Sequence, residues 1–381
     1  MKRGWAILLI AAMLLPGGVA AQSSMFGTRV LGLPLLPLSA RSQGMGGGNA
    51  QFDPEVGLNP ASFWITQRHV GMISARHYWR DSENPFGTST GNDTQIPLVL
   101  VSGPIGRKWD YGLTVAGFTD RTFALALTDT LTLRGQEVAV NDTLLSKGGT
   151  TDIGASVSYT LSQRLAIGVG LHMLTGTNRI EYRRQFADSS YLPVRIRNEL
   201  SVSGPGLTFG LSAQPVKNVR LAGMVRFDTD LNYYKDSIRV GGDIPMPMTY
   251  AGGVLLQPSP RFLLAGQALH RNWSVMNDFV ISQGGVGARN TTEGSLGFEF
   301  ARDRTRPTKF PLRLGVRYAQ LPFPAVAGQE GREFQLSLGT GFRFTGERGS
   351  LDFAVERTWR DDSENFKERT FMISFGIGIR P

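Results

Sequence analysis

The sequence predicts an all-β fold, a 14-stranded antiparallel transmembrane β-barrel with an N-terminal plug segment. Three observations predict it: segments of roughly ten residues that alternate with a period of two, an even number of such segments, and connections that alternate between long and short. Leu165, Ile167, Val169, Leu171 and Met173 share one face of such a segment, and Ala166, Gly168, Gly170 and His172 share the other. The last segment repeats this with Phe371, Ile373, Phe375, Ile377 and Ile379 against Met372, Ser374, Gly376, Gly378 and Arg380. A soluble sandwich would carry Lys, Glu and Thr on its polar face. A face of small residues behind a face of large apolar ones instead fits a sheet that turns its apolar side to lipid. Such a sheet has to close, because lipid satisfies no backbone N–H or C=O.

In chain order, Lys2 and Arg3 precede an apolar run from Ala6 to Leu15, then Pro16-Gly17-Gly18 and Val19-Ala20-Ala21. This is the layout of a signal peptide over residues 1–21, and the run is about half the ~20 residues an anchor helix needs. Loss of Lys2 and Arg3 takes the net charge from +9 to +7. The barrel is expected over residues 68–381, with strands near 69–79, 95–103, 109–119, 150–161, 164–177, 197–213, 218–230, 247–257, 261–273, 291–302, 311–319, 333–345, 350–360 and 368–380. The long connections are 80–94, 120–149, 178–196, 231–246, 274–290, 320–332 and 361–367; the others are mostly short turns, with 303–310 somewhat extended. An even strand count with short turns on one side places both termini in the periplasm and the barrel in the outer membrane of a Gram-negative-type bacterium. Trp79, Trp109, Tyr111, Tyr250, Trp273 and Trp359 fall at strand ends, where amphipathic rings meet headgroups.

Composition agrees. Outside the N-terminus no run of 18 apolar residues occurs, which excludes helical spans, and 47 glycines with 22 phenylalanines suit packed strands better than helices. The chain has no cysteine, so no disulfide contributes to its stability. Its arginines are spread over turns and strands rather than clustered, which points to anionic lipid headgroups of the outer membrane rather than to nucleic acid.

Residues 22–67 do not alternate. They hold an apolar, proline-punctuated stretch from Val30 to Leu38, the cluster Gly44-Met45-Gly46-Gly47-Gly48, and Asn59-Pro60-Ala61-Ser62-Phe63-Trp64. An apolar segment ahead of a barrel needs burial, and the lumen supplies it. Gly44, Gly46, Gly47 and Gly48 permit close approach to a wall, and Asn59 before Pro60 favours a capped turn.

Ser42-Gln43-Gly44-Met45-Gly46-Gly47-Gly48, then Asp53, then Asn59-Pro60-Ala61 resembles the N-terminal hatch of the FadL-type outer-membrane transporter superfamily, and is at least as similar to its PorV/PorQ-like branch. The resemblance covers the hatch motif and the plan of plug plus fourteen strands; the spacing from the glycines to Asn-Pro-Ala is shorter here, and an acidic pair is reduced to Asp53 with Glu55. It implies a plug whose movement opens a path for ligand, with Gly44, Gly46, Gly47, Gly48, Asn59, Pro60 and Ala61 at the gating positions.

No catalytic, metal or cofactor site is expected. His69, His77, His172 and His270 are not spaced as metal pairs, and Gly87-Thr88-Ser89-Thr90-Gly91 matches a nucleophile-elbow string only formally, since it falls in a polar loop with no helix after it. His172 faces inward without a partner readable from sequence. Inward positions also carry Arg220, Arg226, Glu299, Arg313, Arg317, Arg343, Asp352, Glu356 and Arg380. Arg313, Arg317 and Arg343 are candidate contacts for the carboxylate of an amphipathic ligand; the alternative is a lumen ion-pair network with Asp352 and Glu356.

Two functions follow. One is a plugged channel for uptake of hydrophobic or amphipathic, fatty-acid-like molecules, with Phe118, Phe123, Leu125 and Leu127 as apolar loop and lumen residues. The other, implied by the PorV-like branch, is a barrel that docks exported proteins of a secretion system, with 120–149 as its longest loop.

Overall fold

The computed structural model describes residues 24–66, 68–84, 87–236, 238–239, 243–301, 310–324, 328–344, 348–363 and 366–381. The expected signal peptide and most of the 303–310 connection lie outside the described residues. Fourteen strands form the wall: β1 (Val70–Asn84), β2 (Gly87–Pro104), β3 (Trp109–Asp120), β4 (Gln136–Ser162), β5 (Leu165–Phe186), β6 (Val194–Val216), β7 (Val219–Asp228), β8 (Thr249–Ser259), β9 (Phe262–Arg271), β10 (Thr291–Phe300), β11 (Leu312–Gln320), β12 (Arg332–Phe344), β13 (Gly349–Ser363) and β14 (Phe366–Ile379). Each is antiparallel to its neighbours, and β14 returns to β1 with Phe375 opposite Ala75, so the sheet closes.

Side-chain exposure follows the period of two. On β5, Ile167, Val169, Leu171 and Met173 are 41–63% exposed while Ala166 is fully buried. The large apolar residues therefore point away from the lumen. That belt is framed by two rings of aromatics: Trp79 beside Phe371 and Phe334 beside Trp359 at one end, Trp109 beside Tyr159 and Phe262 beside Phe300 at the other. An apolar band between aromatic girdles on a closed sheet is the exterior of a membrane-spanning barrel.

Three expectations need correction. The connections 80–94, 120–149, 178–196 and 361–367 are largely strand: β1 with β2, β4 with β5, and β13 with β14 continue as paired ribbons, and Phe123–Leu133 adds a hairpin partner to β4. Beyond the bilayer no lipid-facing pattern is required, so Thr, Val and Ser pair as strands without the apolar alternation that marks a span. The string from Gly87 to Gly91 accordingly lies in β2, not in a loop. Trp273 is not a girdle residue: it is fully buried in a 3₁₀ turn (Trp273–Met276), its ring 5.5 Å from that of Phe323. It belongs to an apolar cluster of Leu31, Leu231, Ile244, Met276 and Val280, in which the connections after β7, β9 and β11 fold together over the N-terminal segment.

Candidate functional site

Residues 24–66 lie within the barrel. Ser39 caps the short helix α1 (Ala40–Gly44), its Oγ accepting from the Ser42 N–H at 3.1 Å. Asp53 then gathers the segment: it accepts from Ser42 Oγ at 2.8 Å, Ser39 Oγ and Asn49 Nδ2 at 3.3 Å, and the Glu55 N–H at 3.0 Å. With these groups bonded to one carboxylate, a stretch with little regular structure holds one shape.

The glycines bring that shape flush to the wall. A Cβ on Gly44 would stand 2.8 Å from Gly339 Cα on β12, and one on Gly48 would stand 2.6 Å from Gly297 N on β10. Gly46 has a φ of +61° and faces Gly315 of β11, where a Cβ would come within 2.0 Å of Gly46 N. Gly47 turns inward to Leu36 and Leu38. On the opposite side, Asn59 is fully buried at the start of a 3₁₀ turn (Pro60–Ile65). Its Oδ1 accepts from the Ala61 N–H at 2.9 Å while its Nδ2 donates to the carbonyls of Leu211 on β6 and Gly223 on β7 at 3.2 and 3.3 Å. Pro60 and Ala61 pack against Gly168 of β5, and Trp64 Nε1 donates to Ser212 Oγ at 3.1 Å.

Arg313 and Arg317 are both engaged. Arg313 donates to Glu299 at 2.8 Å and to Asp352 at 2.6 Å, and Arg317 reaches Glu293 and Glu333, each at 2.7 Å. Arg360 joins Glu333 to Glu368, Arg80 lies 3.2 Å from Glu368, and Arg41 ties α1 to Glu299 at 3.4 Å. Arg380 pairs with Glu55 of the N-terminal segment. Arg343 is half-buried near the end of β12, opposite Ser350. Of the two acids expected in this network, Asp352 is a member and Glu356 is not: Glu356 is buried with neither carboxylate oxygen bonded.

Across the lumen, His172 has the partner that sequence did not reveal. Its Nε2 lies 2.7 Å from Asp228, which also accepts two 2.8 Å bonds from Arg226. Arg226 reaches Asp152 as well and stacks over Phe118, 5.1 Å from the ring centre.

The wall is not continuous. β2 pairs with β3 only from Pro104 to Leu98, opposite Asp110 to Ala116, yet pairs with β1 up to Gly87. Pro97 stands at the point of departure and has no N–H to offer β3. Above it a cavity of about 470 Å³ opens between Gln95, Pro97, Gly117, Thr119 and Asp120. Leu33 and Pro34 pair with the freed edge of β3, and Gln95 donates to Asp120 across the gap at 2.9 Å. A second cavity of about 460 Å³ lies under the loop cluster, lined by Leu31, Arg121, Asn178, Val202, Tyr233 and Phe279 among others; the two share Gly149, Thr150 and Gly176. Arg121 and the gap escaped the sequence reading; Pro97 inside a span was the available signal.

Outside the barrel, Glu181 on the extended part of β5 accepts from Arg195, Arg183 and Arg197, which hold its carboxyl down at about 2. Asp142 is lowered in the same way by Arg184.

Fourteen strands closed around a folded N-terminal segment define the architecture. It is the FadL fold. A Pseudomonas aeruginosa FadL homologue superposes over 91% of this chain and 99% of its own, with a TM-score of 0.65 and 12% identity. The Ralstonia pickettii toluene transporter TbuX matches over 91% of this chain and 99% of its own at a TM-score of 0.60 and 14% identity. For the Pseudomonas putida toluene transporter TodX the values are 91%, 98%, 0.56 and 14%. No family model matches the sequence, and no curated protein does.

Proposed function

We propose that the protein is a bacterial outer-membrane channel for uptake of hydrophobic or amphipathic small molecules. Residues 1–21 are its signal peptide, 22–67 its hatch and 68–381 its barrel; Gly44, Gly46, Gly48, Asn59, Pro60 and Ala61 seat the hatch on the wall, and Gly47 turns the hatch backbone inward. The observation that carries this reading is the gap between β2 and β3, screened by Leu33 and Pro34 of the segment that also blocks the lumen. A solute entering from the loops then meets a closed axis and an open flank, and an apolar solute gains by leaving sideways into the hydrocarbon. The toluene transporters of the same fold support that chemistry.

The test locks the hatch. A Cβ on Gly376 would lie 3.1 Å from Ala40 Cβ, close to disulfide range, and the chain has no other cysteine. The A40C/G376C pair is expected to abolish uptake of a hydrophobic probe such as dodecanoate when oxidised and to recover it with reductant. Unchanged uptake in the oxidised form would sink the hatch role.

A second reading, in the PorV/PorQ-like branch, is a docking barrel for exported proteins. The exposed Leu125, Leu127, Leu192 and Ile196 favour it, since they lie on or between extended ribbons beyond the membrane belt. Co-purification with a secretion channel or cargo, with no uptake of lipid-like probes, would select it.

A further inference from the structure

The outside of the wall is banded in one sector. From Leu165 to Arg184, β5 pairs with β6 without a register shift, and from Thr160 to Val140, β4 pairs with β5 without one. The face that Leu171 and Met173 turn to lipid therefore continues upward unbroken. Above Met173, Ile153 and Leu207 its side chains change type. A row of hydroxyls comes first: Thr151, Thr175, Thr177, Ser201 and Ser203. Lys147, Arg179, Arg183, Arg195 and Arg197 follow, with Glu181 and Glu199 among them.

This upper row has more cations than acids. Glu181 is shared by Arg183, Arg195 and Arg197, and Glu199 pairs with Arg179. Lys147, directly opposite Arg179, is exposed and makes no ion pair among the described residues, and Asp236 at the edge of the row accepts from the Glu199 N–H. The four arginines are 47–72% exposed, and exposed pairs of this kind contribute little, so their N–H groups are open to a stronger anion. On β13, β14 and β1 the outward charges above the membrane belt balance instead: Arg357, Lys367 and Arg369 against Asp81, Glu83 and Asp361, with Lys367 opposite both Asp361 and Glu83 and Arg369 opposite Asp81.

Height selects the ligand. Arg179 stands six residues beyond Met173, about 20 Å along the strand and, at a tilt near 40°, about 15 Å above the belt. The headgroup layer of a phospholipid leaflet is only about 5–8 Å deep. A phosphate carried on sugars reaches higher, and sugars match a row of hydroxyls between the belt and the cations. We propose that the outward face of β4, β5 and β6 binds a phosphorylated glycolipid of the outer leaflet, with phosphates on Lys147, Arg179 and the arginines around Glu181, sugars on the Thr and Ser row, and acyl chains on the belt below. Guanidinium groups suit this role because each can give a phosphate two parallel hydrogen bonds. The site lies outside the wall and is independent of what passes through the barrel.

The experiment titrates the purified full chain in detergent with diphosphoryl lipid A, monophosphoryl lipid A and dimyristoyl phosphatidylglycerol. Wild type is expected to bind diphosphoryl lipid A most tightly. Lys147→Gln with Arg179→Gln removes two cations, each contributing about fivefold against an anionic headgroup, and is expected to weaken diphosphoryl lipid A at least about tenfold. Arg195→Gln with Arg197→Gln is expected to act in the same direction and covers the case in which the first variant does not fold. Lys367→Gln with Arg369→Gln removes the same charge from the balanced sector and is expected to bind as wild type does. Diphosphoryl lipid A bound no more tightly than either other lipid, a folded variant of the β4–β6 face that binds it as wild type does, or an equal loss in the balanced-sector variant would overturn the site. Each of these results would leave the uptake reading standing.

Discussion

The two arcs of the wall solve opposite problems. From β10 through β14 to β1 the ladder is continuous, α1 rests on glycines, and Arg313, Arg317 and Arg360 each bridge two carboxylates. From β2 to β6 the ladder breaks beside Pro97, two cavities meet at the break, and Arg121 Nε is left without a partner. The first arc pairs most of its charges within itself, Glu356 excepted, and anchors the N-terminal segment. The second leaves a gap and a cation, and so retains the capacity to interact with something else.

Breaking the first arc should have the largest effect. Arg317→Ala would strand Glu293 as a buried uncompensated acid and leave Glu333 with Arg360 alone, which costs about 3–5 kcal/mol and should lower the thermal unfolding midpoint in detergent sharply. In the second arc Arg121→Gln removes no protein partner and should stay within about 1 kcal/mol of wild type. Equal destabilisation by the two would erase the distinction between the arcs.

An intermediate effect is expected at the seam. Asn59→Ala loses one cap bond and two bonds to wall carbonyls, about 1–2 kcal/mol, and should make residues 24–66 more susceptible to protease without unfolding the barrel. Unaltered cleavage would mean that the seam holds without it.

The smallest effect concerns neither arc but the ribbon above them. Glu181 is held at about 2, below its ordinary value near 4.5, so its three arginine contacts stabilise the β5–β6 ribbon fully above pH ~4.5 and are lost as pH falls towards 2. Amide exchange at 179–199 should quicken over that window while the girdled belt stays protected. Exchange independent of pH after correction for intrinsic rates would remove the cluster from the account.

What could be read from sequence follows the same division. Lipid imposes the period of two, so Leu165 to Met173 and Phe371 to Ile379 declared their outward faces and the strand count with them. Close approach imposes small residues, so Gly44, Gly46 and Gly48 were legible as contact points. Neither constraint acts above the bilayer, which is why residues 80–94 and 178–196 passed for loops and Trp273 for a girdle ring. Arg313 and Arg317 drew attention because they sit in recognisable spans, yet carboxylates from neighbouring strands occupy them. Arg121 sits where periodicity stops, and only three-dimensional contact reveals that no acid lines its cavity.

The pairing of β14 with β1, from Lys367 opposite Glu83 to Ile379 opposite Gly71, also dictates an order of assembly. These contacts join residues nearly 300 positions apart, the costliest loop in the chain to close and therefore a late one. Residues 24–66 are synthesised before any strand of the wall and are therefore present when that last seam zips. The segment that fills the barrel thus precedes, in the chain, every strand of the wall that it touches.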